Sequence, residues 1–514
     1  MSYREHHRKR FMICRSVTTS GLGLVGLLAG CQSLDVRPAT SVPKPAHLSP
    51  APMHRTEAID EPIQPAAFEK VAATEESLID LGTALRLAGV ENPTIQLAQE
   101  SIREAQAQQT AARALLLPTV NVGGNLNIHR GNLQQSNGSI LAVDKQSLYL
   151  GAGAQAIGSG TLAYPGVRLF AHLGDAVYEP LAARQRVATR SADAQAVQND
   201  LLLDVSTAYL ELIGAEQRVR VLKQGETDLN ELVRLTALYA KSGQGRSADA
   251  NRAAAHFQLL GREIQSAEED RQVAVARLAR LLNLDPSIGL KSPDGPLPTI
   301  QFFTPAEPME PLLETALRNR PEIEARSAEI ALTQVRRRQE TVRPFLPLLS
   351  VGFSGGAFGG TSNQTVIKDT TLNGRTDFDV AAIWTLQSAG VGNRARVRVA
   401  DARFGQAVAD LERARTEIRQ QVAEAWAEVE ATVRQIDIAK SALTVAEEGF
   451  RLEMQRIQQA EGRPIEILDS FRQLLDARLD LVRAIVGHDI AQFRLYRAVG
   501  SMPSVPAEDP VEGK

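Results

Sequence analysis

Four segments of the chain alternate between apolar and polar residues. A period of two is typical of a β-strand with one apolar and one polar face. In the first segment Val120 and Val122 begin the apolar set, and Asn121 and Asn125 belong to the polar set between. The alternation predicts four strands, at about 119–129, 147–156, 348–357 and 377–387.

Strands about ten residues long with one apolar face match transmembrane strands, which turn apolar residues to lipid and polar residues to a lumen. A half-buried soluble hairpin would show the same alternation. Four such strands, in two hairpins with polar loops at 130–146 and 359–376, favour the membrane. Backbone groups in lipid must all be paired, and four strands cannot close a barrel, so several chains must share one.

Asp377 and Asp379 fall on the polar face of the fourth strand, which would place both carboxylates toward the lumen. A strand that begins one turn later would leave them outside the sheet.

Two long segments show the spacing of coiled-coil helices. Apolar residues recur at alternating steps of four and three, as in Leu201, Val205, Ala208 and Leu212. Residues 181–241 and 394–460, if helical throughout, would each run about 90–100 Å at about 1.5 Å per residue.

The chain is an internal duplication. Pro93 and Pro321 each open an amphipathic stretch that ends in Leu-Pro, 228 or 229 residues apart. Further along, the offset is 217, as between Val205 and Val422. The first half therefore carries about twelve extra residues, which we assign to 157–180; Pro165 and Pro180 there should interrupt the transition from strand to helix. Internal repetition is a statement about the whole fold.

The N-terminus reads as an export signal. Basic residues precede an apolar stretch from Val17 to Leu28, which is too short to span a bilayer. Leu28-Ala29-Gly30-Cys31 resembles the bacterial lipobox, which implies cleavage before Cys31 and acylation of that cysteine, palmitate included. An ordinary signal peptide with a chance cysteine is the alternative. Gln32 rather than aspartate follows, which by analogy points to outer-membrane sorting.

These boundaries give a domain plan. It comprises a lipoprotein signal peptide (1–30), a proline-rich tether (31–70), a first structural repeat (71–290), a linker (291–309), a second repeat (310–500) and a flexible tail (501–514).

Composition narrows the function. The net charge of −3 gives no electrostatic reason for a nucleic-acid partner. Both cysteines lie in the first 31 residues, and the histidines form no metal-ligand spacing, so we expect no cofactor, metal site or catalytic residue. Gly151 to Ala156 fits G-x-G-x-x-A, but strand alternation runs through it, whereas a dinucleotide site requires a helix start. We expect that the protein is not an enzyme.

At this point the sequence resembles the TolC-type outer membrane efflux family, in its lipidated branch that serves pumps of the RND type. The resemblance covers about residues 75–500 and rests on the duplicated layout, the Leu-Pro junctions and the Gly-Arg turns at Gly245-Arg246 and Gly462-Arg463. It implies a helical fold with a membrane β-barrel: a homotrimer with a twelve-stranded barrel in outer-membrane lipid and an α-helical tunnel in the periplasm. It also implies a periplasmic adaptor, an inner-membrane pump and passive export of small molecules.

The turns between long and short helices should be the periplasmic tips. Just after them come Asp249, Glu466 and Asp469, and in the family acidic residues at corresponding places constrict the pore. Three chains would form a ring of carboxylates that favours cations. Plain helix capping is the alternative, with Ser247 as an N-cap and acids complementing the helix dipole. Arg246 and Arg463 either pair with these acids across the closed tip or are solvated.

Three other functions remain open. A type I protein secretion channel would use the same architecture with another pump. A periplasmic adaptor should have one helical hairpin beside β-rich segments, and a structural envelope coiled coil would need no lumen face.

Overall fold

The fold repeats one unit of two short helices, a strand hairpin and a long helical hairpin. A computed structural model describes residues 77–155, 163–243, 245–297, 299–304, 308–364, 371–459 and 463–501. Cys31, the predicted signal peptide and tether, and most of the predicted tail lie outside these residues. The helices are α1 (Leu81–Glu91), α2 (Pro93–Arg113), α3 (Leu173–Lys241), α4 (Ser247–Leu281), α5 (Met309–Asn319), α6 (Pro321–Val342), α7 (Val391–Gln458) and α8 (Pro464–Ala498).

The strands fall into one large sheet and one short pair. They are β1 (Ser77–Leu78), β2 (Thr119–Val120), β3 (Val122–Gln134), β4 (Ile140–Gln155), β5 (Ala163–Pro165), β6 (Val167–His172), β7 (Leu290–Lys291), β8 (Leu348–Ser362) and β9 (Asn373–Ile383). The parallel pair β1–β7 joins the start of the first repeat to the segment that follows α4.

Equivalent residues connect the start of each repeat to the end of its last helix. Asn92 and Arg320 are the N-caps of α2 and α6, and a proline follows each at the first helical position. The Asn92 side-chain amide donates to the Leu281 carbonyl at 2.7 Å, and the Arg320 guanidinium donates to the Ala498 carbonyl at 3.2 Å. Because a helix leaves its last carbonyls without intrahelical donors, both residues satisfy the end of the last helix of their own repeat.

The duplication also appears in the cores. Val205, Ala208 and Leu278 are buried in the first repeat, and the residues 217 positions later, Val422, Ala425 and Leu495, are buried in the second. Near the far end of the hairpins, one cluster draws apolar side chains from all four helices, namely Leu232, Leu260, Ile457 and Phe471.

The helical hairpins lie side by side. α3 packs against α4, α7 packs against α8, and α3 also packs against α8. The predicted coiled-coil seam lies in these contacts, because Leu201, Val205, Ala208 and Leu212 are all buried. α3 has 69 residues and α7 has 68, which at about 1.5 Å per residue makes each about 100 Å long. Among the helices of the described residues, none is both long enough and apolar enough to cross a membrane.

Four positions make up the large sheet. β2 and β3 fill the first position, β4 and then β6 the second, β8 the third and β9 the fourth, with antiparallel pairing throughout. β8 pairs with β4 through residues 355–362 and with β6 through residues 348–353.

The ladders extend into segments that the sequence predicts as loops. β3 and β4 continue through polar residues to a short turn at Asn137 and Gly138. The loop prediction for 130–146 is wrong, because backbone pairing does not depend on apolar side chains and continues while both strands stay extended. β9 ends at Ile383 rather than at 387, since Ile383 pairs with Leu348, the first residue of β8.

The described part of the extra segment in the first repeat forms the strands β5 and β6 before the long helix. β5 folds back onto β4, and β6 then takes over the pairing with β8. Pro165 ends β5, as expected, but Pro180 lies within α3, which begins at Leu173. The expectation that Pro180 interrupts the transition is wrong, because at the eighth position of α3 it removes one intrahelical hydrogen bond and the helix continues through it. Residues 156–162 lie outside the described residues.

Candidate functional site

Polar side chains share one face of the large sheet. In the register of β8 and β9, Ser354 faces Asp377 and Gly352 faces Asp379. Asp377 forms an ion pair with Arg375 at 2.9 Å, and the Arg375 guanidinium lies 5.2 Å from the centre of the Phe358 ring. Asp377 and Asp379 both lie within β9, so the alternative that the strand starts after them is wrong.

The opposite face of the sheet is apolar and uncovered. Leu126, Phe378 and Val380 are 64%, 68% and 60% exposed, although they lie within regular strands. Soluble proteins rarely expose a contiguous apolar face of this kind. This face needs a lipid or protein surface against it.

Both outer strands of the sheet have a free edge. Within the part of the chain that the structure describes, β3 pairs only with β4, and β9 pairs only with β8. Open edges expose unpaired backbone donors and acceptors, which other strands readily pair.

The helices that follow the two hairpin turns begin in the same way. Ser247 and Pro464 are the first residues of α4 and α8, after the N-caps Arg246 and Arg463. Ser247 is therefore not an N-cap, and the prediction that it caps α4 is wrong, because the extended residue before the helix is Arg246.

Asp249 and Glu466 occupy equivalent places as third residues of their helices. Their backbone N–H groups donate to the carbonyls of Arg246 and Arg463 respectively, both at 3.0 Å. Acidic side chains in a first helical turn complement the helix dipole. The helix-start arrangement therefore holds in both repeats.

The partners of these acids differ from those that the sequence suggests. Asp249 pairs with Arg252 at 3.3 Å, and Glu466 lies 3.5 Å from Arg456 of α7. Arg246 and Arg463 are exposed and form no ion pair with the acids among the described residues. The expected pairing through Arg246 and Arg463 is absent within one chain.

Arg456 connects two carboxylates at the tip of the second hairpin. Its guanidinium lies 2.8 Å from Glu453 on the same helix and 3.5 Å from Glu466 on α8. One oxygen of each carboxylate is buried without a hydrogen bond among the described residues. The three side chains form a compact charged cluster, which we call the Arg456 cluster.

Asp469 points elsewhere. Its carboxylate accepts a hydrogen bond from Gln473 at 3.1 Å and lines a cavity of about 370 Å³ between α4 and α8, shared with His256 and Glu263. Burial and the nearby Arg472 and Arg252 lower the pKa of His256. Glu466 therefore contacts α7, whereas Asp469 faces the cavity between α4 and α8.

A tyrosine links the two hairpins at the tip. The Tyr239 hydroxyl, near the end of α3, donates to the carbonyl of Ile457 in the last turn of α7. Gly243 has a φ of +76°, and the Gly245 N–H donates to the Tyr239 carbonyl at 2.9 Å, so the turn folds back onto the same residue. Sequence reasoning missed Tyr239 and Arg456. The Tyr239 contact crosses between the repeats and the Arg456 contact joins two helices of the second repeat, and neither leaves a periodic signal.

The segment between the repeats is held by buried polar side chains of α8. Asp489 accepts from the Ile300 N–H at 2.8 Å, and Gln492 accepts from Phe302 and Phe303 and donates to the Phe303 carbonyl. Burial raises the pKa of Asp489 to about 7, and the Ile300 N–H partly opposes the rise. The sequence showed no sign of this carboxylate.

The chain resembles known proteins in sequence over one region and in structure over most of its length. Residues 312–501 match the family described as "Outer membrane efflux protein". A membrane protein from Pseudomonas aeruginosa superposes with a TM-score of 0.68 at 20% identity, covering 86% of this chain and 99% of that one. The outer-membrane channel OprN gives a TM-score of 0.67 at 20% identity, covering 82% and 90%.

The open state of the Neisseria gonorrhoeae MtrE outer membrane channel gives a TM-score of 0.64 at 21% identity, covering 82% of this chain and 89% of that one. No curated protein sequence matches the chain significantly. At these identities the structural likeness establishes the fold, and the family match confirms the predicted resemblance to outer membrane efflux proteins over residues 312–501.

Proposed function

We propose that this chain, which has the fold of the TolC-type outer membrane efflux proteins and matches their family over residues 312–501, is the outer-membrane channel of a tripartite efflux system. It serves as a passive conduit for small molecules. A periplasmic adaptor and an inner-membrane pump deliver them, and the energy for export comes from the pump.

The observation that carries this function is a four-position sheet with a bare apolar face and two free edges. In lipid every backbone polar group must be paired, so a membrane sheet has to close. Single-chain barrels begin at about eight strands. Three copies, each adding four strand positions, close one barrel with the apolar face toward lipid and Asp377 and Asp379 toward the lumen.

The helical hairpins then extend the conduit into the periplasm. At about 100 Å, α3 and α7 are long enough for a tunnel whose end carries Asp249, Glu466 and Asp469. We assign these acids to a cation-favouring constriction formed by three chains, while Arg456 balances part of their charge. Arg246 and Arg463, which are exposed, are available to neighbouring subunits or to an adaptor.

The N-terminal lipid anchor belongs to the same proposal. Leu28-Ala29-Gly30-Cys31 supports acylation at Cys31, and a proline-rich tether leads from it to the folded part. Loss of the lipid should leave insertion intact, because the barrel itself spans the membrane.

Conductance in a planar lipid bilayer tests the function. Purified full-length protein should insert and give discrete, ohmic steps, larger when the tip is opened by substitution. A protein that is correctly assembled and membrane-inserted but never conducts would remove the channel from consideration.

A type I secretion channel is built on the same fold, so the two functions are separated by cargo. Deleting the gene should raise cellular accumulation of small dyes if the channel serves efflux. Unchanged dye accumulation, together with loss of one secreted protein, would favour secretion. The adaptor alternative conflicts with the fold, since the chain has two long hairpins and one amphipathic sheet.

A further inference from the structure

The first turns of α7 carry a run of unpaired arginines. Residues 391–403 contain four arginines against one aspartate, and Asp401 is already paired with Arg337 at 2.6 Å. Arg394, Arg396 and Arg398 are exposed and make no hydrogen bond or ion pair with any other residue that the structure describes.

Such a run is costly at this position. The start of a helix carries a partial positive charge, which disfavours Arg394 near the first turn, and Arg394 and Arg398 repel each other because they lie one turn apart. The equivalent start in the first repeat follows the expected rule, because α3 has Asp175 in its first turn and Glu179 shortly after. Those acids are engaged by Arg343 and Arg336. Where the first repeat has an acidic helix start with paired carboxylates, the second has a basic start whose arginines have no ion pair among the described residues.

The arginines follow directly on exposed apolar and aromatic residues. Trp384, one residue beyond β9, is 60% exposed, and its indole N–H donates to the Phe345 carbonyl at 3.3 Å. Phe345, Leu386 and Val391 are 77%, 66% and 67% exposed. Amphipathic aromatic side chains of this kind concentrate where a bilayer core meets its headgroups.

Distance places the arginines at headgroup depth. They lie about 5–11 Å along α7 from Val391, at about 1.5 Å per residue. The headgroup layer of one leaflet is about 5–7 Å thick. An extended arginine reaches several Å along the helix surface and presents a planar fork that matches phosphate oxygens.

We propose that Arg394, Arg396 and Arg398 bind anionic phospholipid headgroups on the periplasmic side of the outer membrane, Arg394 and Arg398 from one side of α7 and Arg396 from the other. The inference rests on the proposed function, since the sheet must lie in the membrane. The lipid phosphates supply the negative charges that no described residue of the chain places against these arginines, and they set the depth of the barrel in the bilayer. Phosphate in solution lacks the acyl chains that fit the adjoining apolar surface.

Native mass spectrometry of full-length protein in detergent tests the surface, with dioleoyl phosphatidylglycerol titrated as the probe and phosphatidylcholine as the zwitterionic comparison. At about 1 kcal/mol for each basic residue near a lipid surface, the triple variant R394Q/R396Q/R398Q should bind phosphatidylglycerol about 100-fold more weakly. Binding of phosphatidylcholine should not change, and inorganic phosphate should not displace the anionic lipid.

Arg419→Gln is the matched control. Arg419 is exposed on the same helix and lies about 42 Å from its start, so its removal should leave lipid binding unchanged. Helix content by circular dichroism should be retained in the triple variant, because glutamine at a helix start is no worse for the dipole than arginine.

Equal phosphatidylglycerol binding by wild type and the triple variant would overturn the inference. So would dissociation of the variant into monomers with lipid binding retained, which would reassign the arginines to a contact between subunits. Conductance of the same wild-type sample keeps the two proposals apart. If the wild type conducts but the triple variant binds phosphatidylglycerol as well as the wild type does, only the lipid surface is refuted. If the wild type does not conduct, the channel function is refuted.

Discussion

The hydrogen bond of the Tyr239 hydroxyl should stabilise the closed state of the channel tip. It donates to the Ile457 carbonyl and so joins the end of α3 to the end of α7, which belong to different repeats. If the tip opens by separating the two hairpins, this bond must break. Tyr239→Phe removes the bond and keeps the ring, which contacts the apolar cluster above the tip.

The size of the effect follows from one hydrogen bond per chain. A neutral hydrogen bond contributes about 1 kcal/mol net. Three chains opening together would lose about 3 kcal/mol of closed-state preference, which corresponds to a shift of roughly 100-fold in the opening equilibrium. Overall stability should change little, because most of the core lies above the tip.

Single-channel recording measures this directly. Tyr239→Phe should raise the open probability or the mean conductance. The control is Tyr496→Phe, which should change neither, because the Tyr496 ring packs on Phe302 and Phe303 far from the tip. Unchanged gating in an assembled Tyr239→Phe channel would show that the hairpins do not separate at this contact, and the reasoning would fail.

Three further predictions follow from the tip, the inter-repeat segment and the N-terminus. The variant Asp249→Asn, Glu466→Gln, Asp469→Asn should lose cation selectivity and block by divalent cations in bilayer recordings; if the acids only complement helix dipoles, selectivity stays and the cost is a few tenths to about 1 kcal/mol. The pKa of Asp489 is about 7 in the folded chain and near 3.8 when unfolded, so the contribution of this carboxyl to stability is greatest below about pH 4 and is lost as pH rises from about 4 to about 7. Asp489→Asn should flatten that dependence in thermal melts between pH 5 and pH 8, and an unchanged slope would count against the buried carboxyl. Mass spectrometry of the mature N-terminal peptide should find acylated Cys31, and an unmodified cysteine would refute the anchor.

Much of the fold could be predicted because its signals are periodic. Alternation located all four strand positions, and the steps of four and three located the seam of α3, since burial repeats with the geometry of the element. Turns and strand ends were less accessible. Ile383 ends β9 because its partner strand begins at Leu348, and no property of the residues after 383 reveals that.

The site was predicted in outline only. Asp249 and Glu466 were located by their equivalent positions after the two turns, but Arg456, the partner of Glu466 on α7, was not. Pairing across helices depends on which side chains face each other, and this is settled by packing. Asp489 reads in sequence as one more exposed helix acid, although it is 1% exposed.

The subunit count of the assembled protein tests the central claim most directly, because four strand positions per chain close a membrane barrel only when copies combine. Native mass spectrometry of the detergent-purified protein should give one species with three times the mass of the mature chain, stable on dilution. A stable monomer that inserts into bilayers and conducts would contradict the claim.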